Sequence, residues 1–229
     1  MEGRPTSRPP PAGAPHTTIV GVIADTHIGE FLDEIPAAAF HALAGCDLIL
    51  HAGDLSDASV IPALERIAPV VAVHGDHDLP GAPRLPRRAV VTIGTTRIGL
   101  IHGKRRSTDA LVVGVHAAAG RRLTFDAGRA RAMARAFRHD QVDGVVFGHW
   151  HEALMDYVDG VLVFSPGAVC PWGSLQGDHA PRPGVAGAAD RIVRRYRRQL
   201  GEQAMRPSVG RLVIDPHGLR AEVIPLERT

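Results

Sequence analysis

Apolar runs typical of β-strands recur along this sequence, and several of them end in short clusters of aspartate, histidine and glycine. The first three runs lie at residues 17–24, 47–50 and 70–73, and segments predicted to form helices at 36–44 and 57–68 separate them. This alternation of strands and helices predicts a parallel α/β sheet. Because ligands bind beyond the carboxyl ends of the strands in such sheets, we expect the polar clusters to meet there.

The later part of the sequence has a different pattern. Pairs of strands joined by short turns are predicted at residues 88–101, 153–164 and 209–224, and helices are predicted at 108–119 and 128–138. Strands joined by a tight turn run antiparallel. This part is therefore predicted to be mostly antiparallel and to pack against the first part.

The composition of the chain bears on where the protein is found and on which partners it requires. The formal net charge is only +2, so charge alone does not require a nucleic-acid partner, and no apolar run approaches the ~20 residues of a membrane span. Cys46 and Cys170 lie far apart and do not indicate a disulfide framework. We therefore expect a cytoplasmic protein with no membrane partner.

The expected organisation is a single domain over residues 17–229. Residues 1–16 are rich in proline, arginine and glycine and lack the apolar core of a signal peptide, so we expect a disordered tail there. Residues from about 173 to 205 resemble an insertion, and within it residues 190–200 form a predicted helix with five arginines. That helix could meet a polyanion, although its spacing also fits an ordinary exposed helix face.

Five of the polar clusters contain residues that commonly bind metal ions. The last cluster follows the apolar run at residues 142–147 and places two histidines one residue apart, so that both rings can point to one side. A single cluster of this kind could be a surface accident, whereas the joint pattern indicates a binding site. The candidate ligands are Asp25, His27, Asp54, Asp76, His102, His149 and His151.

The mixture of carboxylate and imidazole ligands indicates the chemistry of this site. It suits manganese, iron, zinc or similar ions rather than calcium or magnesium. The candidate ligands are too many for one ion, but they suffice for two ions that share a bridging carboxylate. Two such ions suit the hydrolysis of phosphate esters, because they generate a hydroxide and clamp the attacking and leaving oxygens.

The order of the clusters is characteristic. It reads Asp25-Thr26-His27, Gly53-Asp54, Gly75-Asp76-His77-Asp78, His102 and Gly148-His149-Trp150-His151. This order resembles that of the calcineurin-like metallophosphoesterases, and most closely their YfcE-like phosphodiesterase branch. The resemblance covers residues 19–169 and resumes at 208–224. It implies a four-layer α/β/β/α sandwich, in which two facing mixed sheets are flanked by helices.

The resemblance also implies a role for each candidate ligand. One divalent ion would be held by Asp25, His27, Asp54 and His151, and the other by Asp54, Asp76, His102 and His149. Asp54 would bridge the two ions. We expect manganese at both positions, with nickel, iron and zinc as the alternatives. His51 is expected to orient a ligand from outside the metal coordination.

One position departs from the family pattern, because Asp76 stands where the family has asparagine. Asparagine ligates through a neutral oxygen, whereas aspartate adds a negative charge. Two divalent ions, three carboxylates and a bridging hydroxide are then formally neutral. We expect such a site to attract a phosphate dianion less strongly and to make the hydroxide more basic.

His77 is the candidate general acid for the departing alkoxide, because a histidine can donate a proton at neutral pH. Asp78 is expected to orient the His77 ring. The alternative is that His77 only forms hydrogen bonds within its own loop.

These residues favour a phosphodiesterase that acts on small phosphodiesters, such as nucleotide derivatives, by direct attack of the bridging hydroxide. A phosphomonoesterase that uses the same metals is the nearest alternative. A non-enzymatic scaffold is the rival from another class, since a retromer subunit of this fold has lost part of the ligand set and works through protein contacts. Every metal position of this chain has a competent ligand, which favours the enzyme. We do not expect a nucleic-acid substrate. The sequence is compatible with a monomer and with a homo-oligomer.

Overall fold

The computed structural model describes residues 17–78, 85–103, 126–170 and 206–227. Within them, ten strands form two sheets of five strands each, and three helices pack on the outer faces of the sheets. The strands are β1 (Thr18–Ile23), β2 (Leu48–His51), β3 (Val70–Ala72), β4 (Arg88–Ile93), β5 (Thr96–Ile101), β6 (Gly144–Phe147), β7 (Ala153–Val158), β8 (Val161–Pro166), β9 (Ser208–Asp215) and β10 (Gly218–Pro225). The helices are α1 (Ala37–Leu43), α2 (Val60–Glu65) and α3 (Asp126–Ala136).

The first sheet has the strand order β10-β9-β1-β2-β3. β1, β2 and β3 are parallel, as predicted, because α1 and α2 return the chain between them. The last two strands, β9 and β10, extend this sheet as an antiparallel pair beside β1. The sheet is therefore mixed, and the carboxyl ends of its three parallel strands lie at one edge.

The second sheet, in the order β4-β5-β6-β8-β7, corrects the prediction that this part of the chain is mostly antiparallel. The three central strands, β5, β6 and β8, are parallel to one another. Only the outer strands β4 and β7 run antiparallel to their neighbours. The sequence shows the two hairpins but not which strand of each hairpin pairs with β6. Because β6 pairs in parallel with β5 and β8, the carboxyl ends of these three strands also lie together at one end of the sheet.

Three apolar cores hold the four layers together. The first lies between the two sheets and contains Val22, Leu100 and Phe164. The second packs α1 and α2 on the first sheet, through residues such as Leu43. The third packs α3 on the second sheet, where Phe137 is fully buried. This arrangement is the α/β/β/α sandwich that the motifs implied, and the prediction of the fold class is confirmed.

Several predicted features lie outside the described residues, namely the tail at 1–16, the helix at 108–119, and the insertion at about 173–205 with its arginine-rich helix. Within the described residues, α2 is shorter than the predicted helix at 57–68. Asp57 accepts a hydrogen bond from the Ser59 N–H (2.8 Å), and this contact belongs to a turn that precedes the helix. In the part of the chain that the structure describes, no helix has the length and apolar character needed to cross a membrane.

Candidate metal centre

The predicted ligands meet at the edge where the parallel strands of both sheets end. Some of these residues follow strands of the first sheet and others follow strands of the second, so the site lies between the two sheets. The first sheet contributes Asp25 and His27 after β1, Asp54 after β2 and Asp76 after β3, and the second contributes His102 after β5 and His149 and His151 after β6.

The first cluster consists of Asp25, His27 and His151, whose ligand atoms all lie within 4.8 Å of one another. The Nε2 atoms of His27 and His151 face each other at 3.3 Å. The same His151 atom lies 3.6 Å from Asp25 Oδ1. All three side chains are buried. A metal ion held here would thus have one carboxylate and two imidazole ligands, which is a donor set for a transition metal.

The second cluster consists of Asp54, His102 and His149, again with ligand atoms within 4.8 Å. His102 Nε2 lies 3.1 Å from Asp54 Oδ2 and 3.2 Å from His149 Nδ1. Asp76 approaches this cluster from the side, with its Oδ2 atom 3.6 Å from His149 Nδ1. The structure therefore places Asp76 at the rim of the second cluster.

Asp54 lies between the two clusters. Its Oδ2 atom is 3.1 Å from His102 Nε2 in the second cluster and 3.6 Å from His27 Nε2 in the first. Its other oxygen, Oδ1, accepts a hydrogen bond from the His77 backbone N–H at 2.8 Å. The Asp54 carboxylate thus lies beside imidazole nitrogens of both clusters, which is the position a bridging ligand requires.

The donor set fits divalent cations better than it fits protons. Two imidazole nitrogens that face each other at 3.3 Å, in His27 and His151, leave room for only one proton between them. Asp25 is 0% exposed and Asp54 is 2% exposed, and buried carboxylates normally need a counter-charge. These residues can therefore hold one divalent ion at each cluster.

Electrostatics show the same need for positive charge. Burial raises the pKa of Asp25 to about 8 and lowers the pKa values of His27 and His151. For His102, burial opposes protonation, but the hydrogen bond to Asp54 and the charges of Asp25 and Asp54 raise its pKa to about 9. For Asp54, burial favours the neutral acid, but the hydrogen bond and charge of His102 hold its pKa well below the usual range. Without a cation, protons on Asp25 and His102 supply the compensating charge.

Backbone conformation is unusual at the ligands. Asp25, His27, Asp54, His149 and His151 all have positive φ angles, between 48° and 75°. Non-glycine residues seldom adopt this left-handed conformation, and such strain concentrates at functional sites. The strand ends therefore turn sharply at the ligands themselves, which aims these side chains into the space between the sheets.

Contacts behind the ligands orient their rings. His102 Nδ1 donates a hydrogen bond to the Ala52 carbonyl at 2.8 Å, which leaves Nε2 to face Asp54. His27 Nδ1 lies 3.1 Å from Glu30 Oε2, and the backbone of Cys170 is a hydrogen-bond partner of His151. Metal-binding histidines are usually held by such a second contact.

His51 joins two of the ligand loops through the Thr26 hydroxyl and the Gly53 amide. Its Nδ1 atom accepts a hydrogen bond from the Gly53 N–H at 3.2 Å, so the hydrogen of the ring lies on Nε2 and is donated to Thr26 Oγ1 at 3.2 Å. Burial lowers the pKa of His51 to about 3, and the ring stays neutral. The predicted orienting role of His51 is therefore indirect and acts through the backbone that carries Asp25 and Asp54.

The structure corrects the partner that was predicted for His77. Asp78 accepts three backbone hydrogen bonds, from Leu55 (2.8 Å), Ser56 (3.1 Å) and Gly75 (2.7 Å), and so braces the loops instead of orienting the imidazole. His77 Nδ1 instead lies 2.9 Å from Glu30 Oε1.

Glu30 is a site residue that sequence reasoning missed. Burial favours its neutral form, but hydrogen bonds from His77 and His27 outweigh this and lower its pKa. Its position three residues after His27 was an available signal, since a turn can fold such a carboxylate back onto the histidine.

Comparison with known proteins agrees with this geometry. The model of the calcineurin-like phosphoesterase superfamily domain matches residues 19–186, and the chain belongs to this superfamily. A probable metallophosphoesterase of Methanocaldococcus jannaschii is 31% identical over 185 residues, which cover 76% of this chain and 85% of the relative. Metal-dependent hydrolysis of phosphoesters is accordingly the activity class of the family.

Two solved structures share the fold at low identity. Vacuolar protein sorting 29 from Cryptosporidium parvum is 18% identical with a TM-score of 0.57, and the match covers 93% of this chain and 99% of that one. Wild-type Vps29 from Entamoeba histolytica, solved as a complex with Zn²⁺, is 20% identical with a TM-score of 0.55, and the match covers 92% and 100% of the two chains. At these identities the likeness concerns the fold alone.

Proposed function

We propose that this chain is a phosphodiesterase that uses two divalent metal ions to hydrolyse small phosphodiesters. The observation that carries the proposal is the pair of ligand clusters that share Asp54, whose Oδ2 atom lies 3.1 Å and 3.6 Å from histidine nitrogens of the two clusters. A pair of ions at such a site supplies a nucleophilic hydroxide and neutralises the charge of the phosphate group.

The proposed assignment of ligands follows the clusters. Manganese is the metal we expect, and zinc is a strong alternative because a protein of the same fold was solved with Zn²⁺. Asp25, His27, Asp54 and His151 would hold one ion, and Asp54, Asp76, His102 and His149 would hold the other.

The charge of the site supports a diester rather than a monoester. Three carboxylates, from Asp25, Asp54 and Asp76, cancel most of the charge of two divalent ions. With the nucleophilic hydroxide included, the site is formally neutral, so it attracts the double negative charge of a monoester less strongly than a more positive site would. His77, whose side chain is 48% exposed beside the clusters, is the residue we propose to give a proton to the leaving group.

A metal analysis combined with a substrate panel tests the proposal. Protein stripped with a chelator and reloaded with manganese should bind two ions per chain and hydrolyse bis(p-nitrophenyl) phosphate faster than p-nitrophenyl phosphate. Asp54→Asn should lose metal and activity, because it removes the negative charge of the carboxylate that lies beside histidine nitrogens of both clusters. Asp33→Asn is the matched control, since Asp33 is an exposed carboxylate on a neighbouring loop.

The same experiment separates the alternatives. Faster hydrolysis of the monoester would identify a phosphomonoesterase. Two bound ions without turnover of any phosphoester in the panel would favour a scaffold of the same fold. Saturation at one ion per chain would contradict the shared role of Asp54.

A further inference from the structure

We propose that Glu30 is a positioning residue that fixes the rings of His27 and His77 together, and so couples metal binding to proton donation. The inference rests on the proposed function, because both histidines belong to that site. It assigns to one carboxylate two roles that are separate in principle: holding a metal ligand and holding a proton donor.

The contacts of Glu30 occupy both of its oxygens. Oε1 lies 2.9 Å from His77 Nδ1, and Oε2 lies 3.1 Å from His27 Nδ1. The Ser56 hydroxyl donates a further hydrogen bond to Oε2 at 3.0 Å. The Glu30 side chain is 28% exposed and the His27 side chain 2% exposed, so the contact with His27 is better shielded from water than the contact with His77, whose side chain is 48% exposed. Glu30 is therefore held between the two imidazole rings.

These contacts fix which nitrogen of each ring carries hydrogen. Because a carboxylate only accepts, each ring must place a hydrogen on Nδ1. The other nitrogen of His27, Nε2, then faces Asp54 Oδ2 at 3.6 Å and the nitrogen of His151 at 3.3 Å, as a metal ligand should. His77 likewise keeps Nε2 for the substrate.

Local backbone structure explains why Glu30 and not Asp78 has this position. The amide groups of Glu30 and Phe31 donate to the His27 carbonyl at 3.2 Å and 3.0 Å, and this tight turn folds Glu30 back over the His27 ring. The Phe31 ring lies 5.1 Å from the His27 ring and lines the same space. Asp78, in contrast, accepts hydrogen bonds from three backbone N–H groups, and these contacts involve both of its oxygens.

Glu30→Gln tests the coupling, because an amide has one accepting oxygen in place of two and no negative charge, so it holds the two imidazole N–H groups less firmly. We expect manganese affinity of the metal-free protein to fall about tenfold or more, measured by competition with a chelating dye. The absorption spectrum of bound cobalt(II) should change as well. We further expect kcat to fall with little change in KM, and to fall more for an alkyl leaving group than for nitrophenolate.

Two further variants separate the roles. His77→Ala should show the same dependence on leaving group but keep its affinity for manganese. In the double variant, Glu30→Gln should lower the metal affinity, and at saturating manganese it should cause little further loss of activity on the alkyl substrate. Glu34→Gln, an equivalent change at an exposed glutamate of the same loop, should behave like the unaltered protein.

Two results would overturn the inference while leaving the proposed function intact. In the first, the unaltered protein is active but Glu30→Gln matches Glu34→Gln in metal affinity and leaving-group dependence. In the second, Glu30→Gln loses the same factor on all substrates and binds metal normally, which would indicate a merely structural role. An unaltered protein that neither binds metal nor cleaves a phosphodiester would overturn the proposed function as well.

Discussion

At the scale of single residues, the candidate ligands differ in how far solvent reaches them. Asp25 and Asp54 are almost inaccessible, whereas the Asp76 side chain keeps 34% of its exposure at the rim of the second cluster. A change at Asp76 therefore perturbs the fold least and the charge of the site most directly.

Asp76→Asn should keep two bound ions and alter the metal preference or the rate. The substitution makes the site more positive by one charge, so inorganic phosphate, largely a dianion at pH above its second pKa, should inhibit several-fold more strongly. Metal content, turnover and the inhibition constant for phosphate are the measurements, with Asp33→Asn as the control. Values that all match the unaltered protein would reject a special role for this carboxylate.

His51 is a buried, uncharged histidine that forms hydrogen bonds with two different loops. It is 0% exposed and links the Gly53 amide to the Thr26 hydroxyl, which itself lies 3.4 Å from the carbonyls of Asp54 and Leu55. Removing it leaves a cavity and breaks two buried hydrogen bonds.

His51→Ala should lower the free energy of unfolding by about 3 kcal/mol, from the lost packing and the unsatisfied partners. His51→Asn should recover part of this loss, because an asparagine oxygen can still accept from the amide two residues later. Urea unfolding of metal-free protein measures both. Equal free energies of unfolding for the alanine variant and the unaltered protein would show that the contacts of His51 do not stabilise the fold.

At the scale of elements, the loops after the strands are built around close backbone approaches. A Cβ atom at Gly75 would lie 2.0 Å from the Asp54 backbone nitrogen and 2.1 Å from Asp54 Oδ1. The loop after β3 thus reaches Asp54 only because Gly75 has no side chain.

Gly75→Ala should therefore displace Asp54 and weaken the binding of metal at both clusters, by about tenfold or more on the scale seen when the support of a ligand is lost. Gly128→Ala is the matched control, since nothing lies within 4 Å of its added Cβ and alanine favours the helix that contains it. Isothermal titration with manganese distinguishes the two, and equal affinities would contradict the steric argument.

Sequence reasoning predicted the elements and the convergence of the ligands, because strand patterns and turn residues are local signals. It did not predict the parallel centre of the second sheet, since the partner of β6 depends on contacts distant in sequence. It also paired His77 with its neighbour Asp78, whereas the structure pairs it with Glu30 from another loop. Motif spacing cannot show which of two nearby carboxylates the backbone amides will occupy.

At the scale of the whole molecule, the candidate centre joins the two sheets. The His149 amide from the second sheet donates to Asp25 of the first at 3.0 Å, and His102 bonds the Ala52 carbonyl across the same gap. Metal ions bound to ligands of both sheets would add to these links, so metal binding should stabilise the folded chain as a unit.

Stability of the metal-free protein should fall as pH rises from about 7 to about 9. Asp25 and His102 have folded-state pKa values of about 8 and about 9, above their ordinary values of 3.8 and 6.5. A raised pKa stabilises the fold at low pH, and this contribution is lost as pH rises through the folded value. The buried histidines with lowered pKa values are neutral in the folded state and mostly neutral in the unfolded state over this range, so they offset little of this loss.

Thermal unfolding across this pH range, with and without manganese, measures the effect. The increase in Tm caused by manganese should be larger at the alkaline end, because the metal no longer has to displace protons. Asp25→Asn should reduce the pH dependence of the metal-free protein. A Tm that rises with pH in the absence of metal would contradict the assignment of the bound protons.

The hydrogen bond from His102 to the Ala52 carbonyl has a consequence for the exchange of metal ions. The ring is held by Nδ1, so turning its other nitrogen away from Asp54 would break a buried hydrogen bond. An ion entering this cluster would therefore meet a histidine that already faces it, and the ring would not have to be reoriented when one ion replaces another.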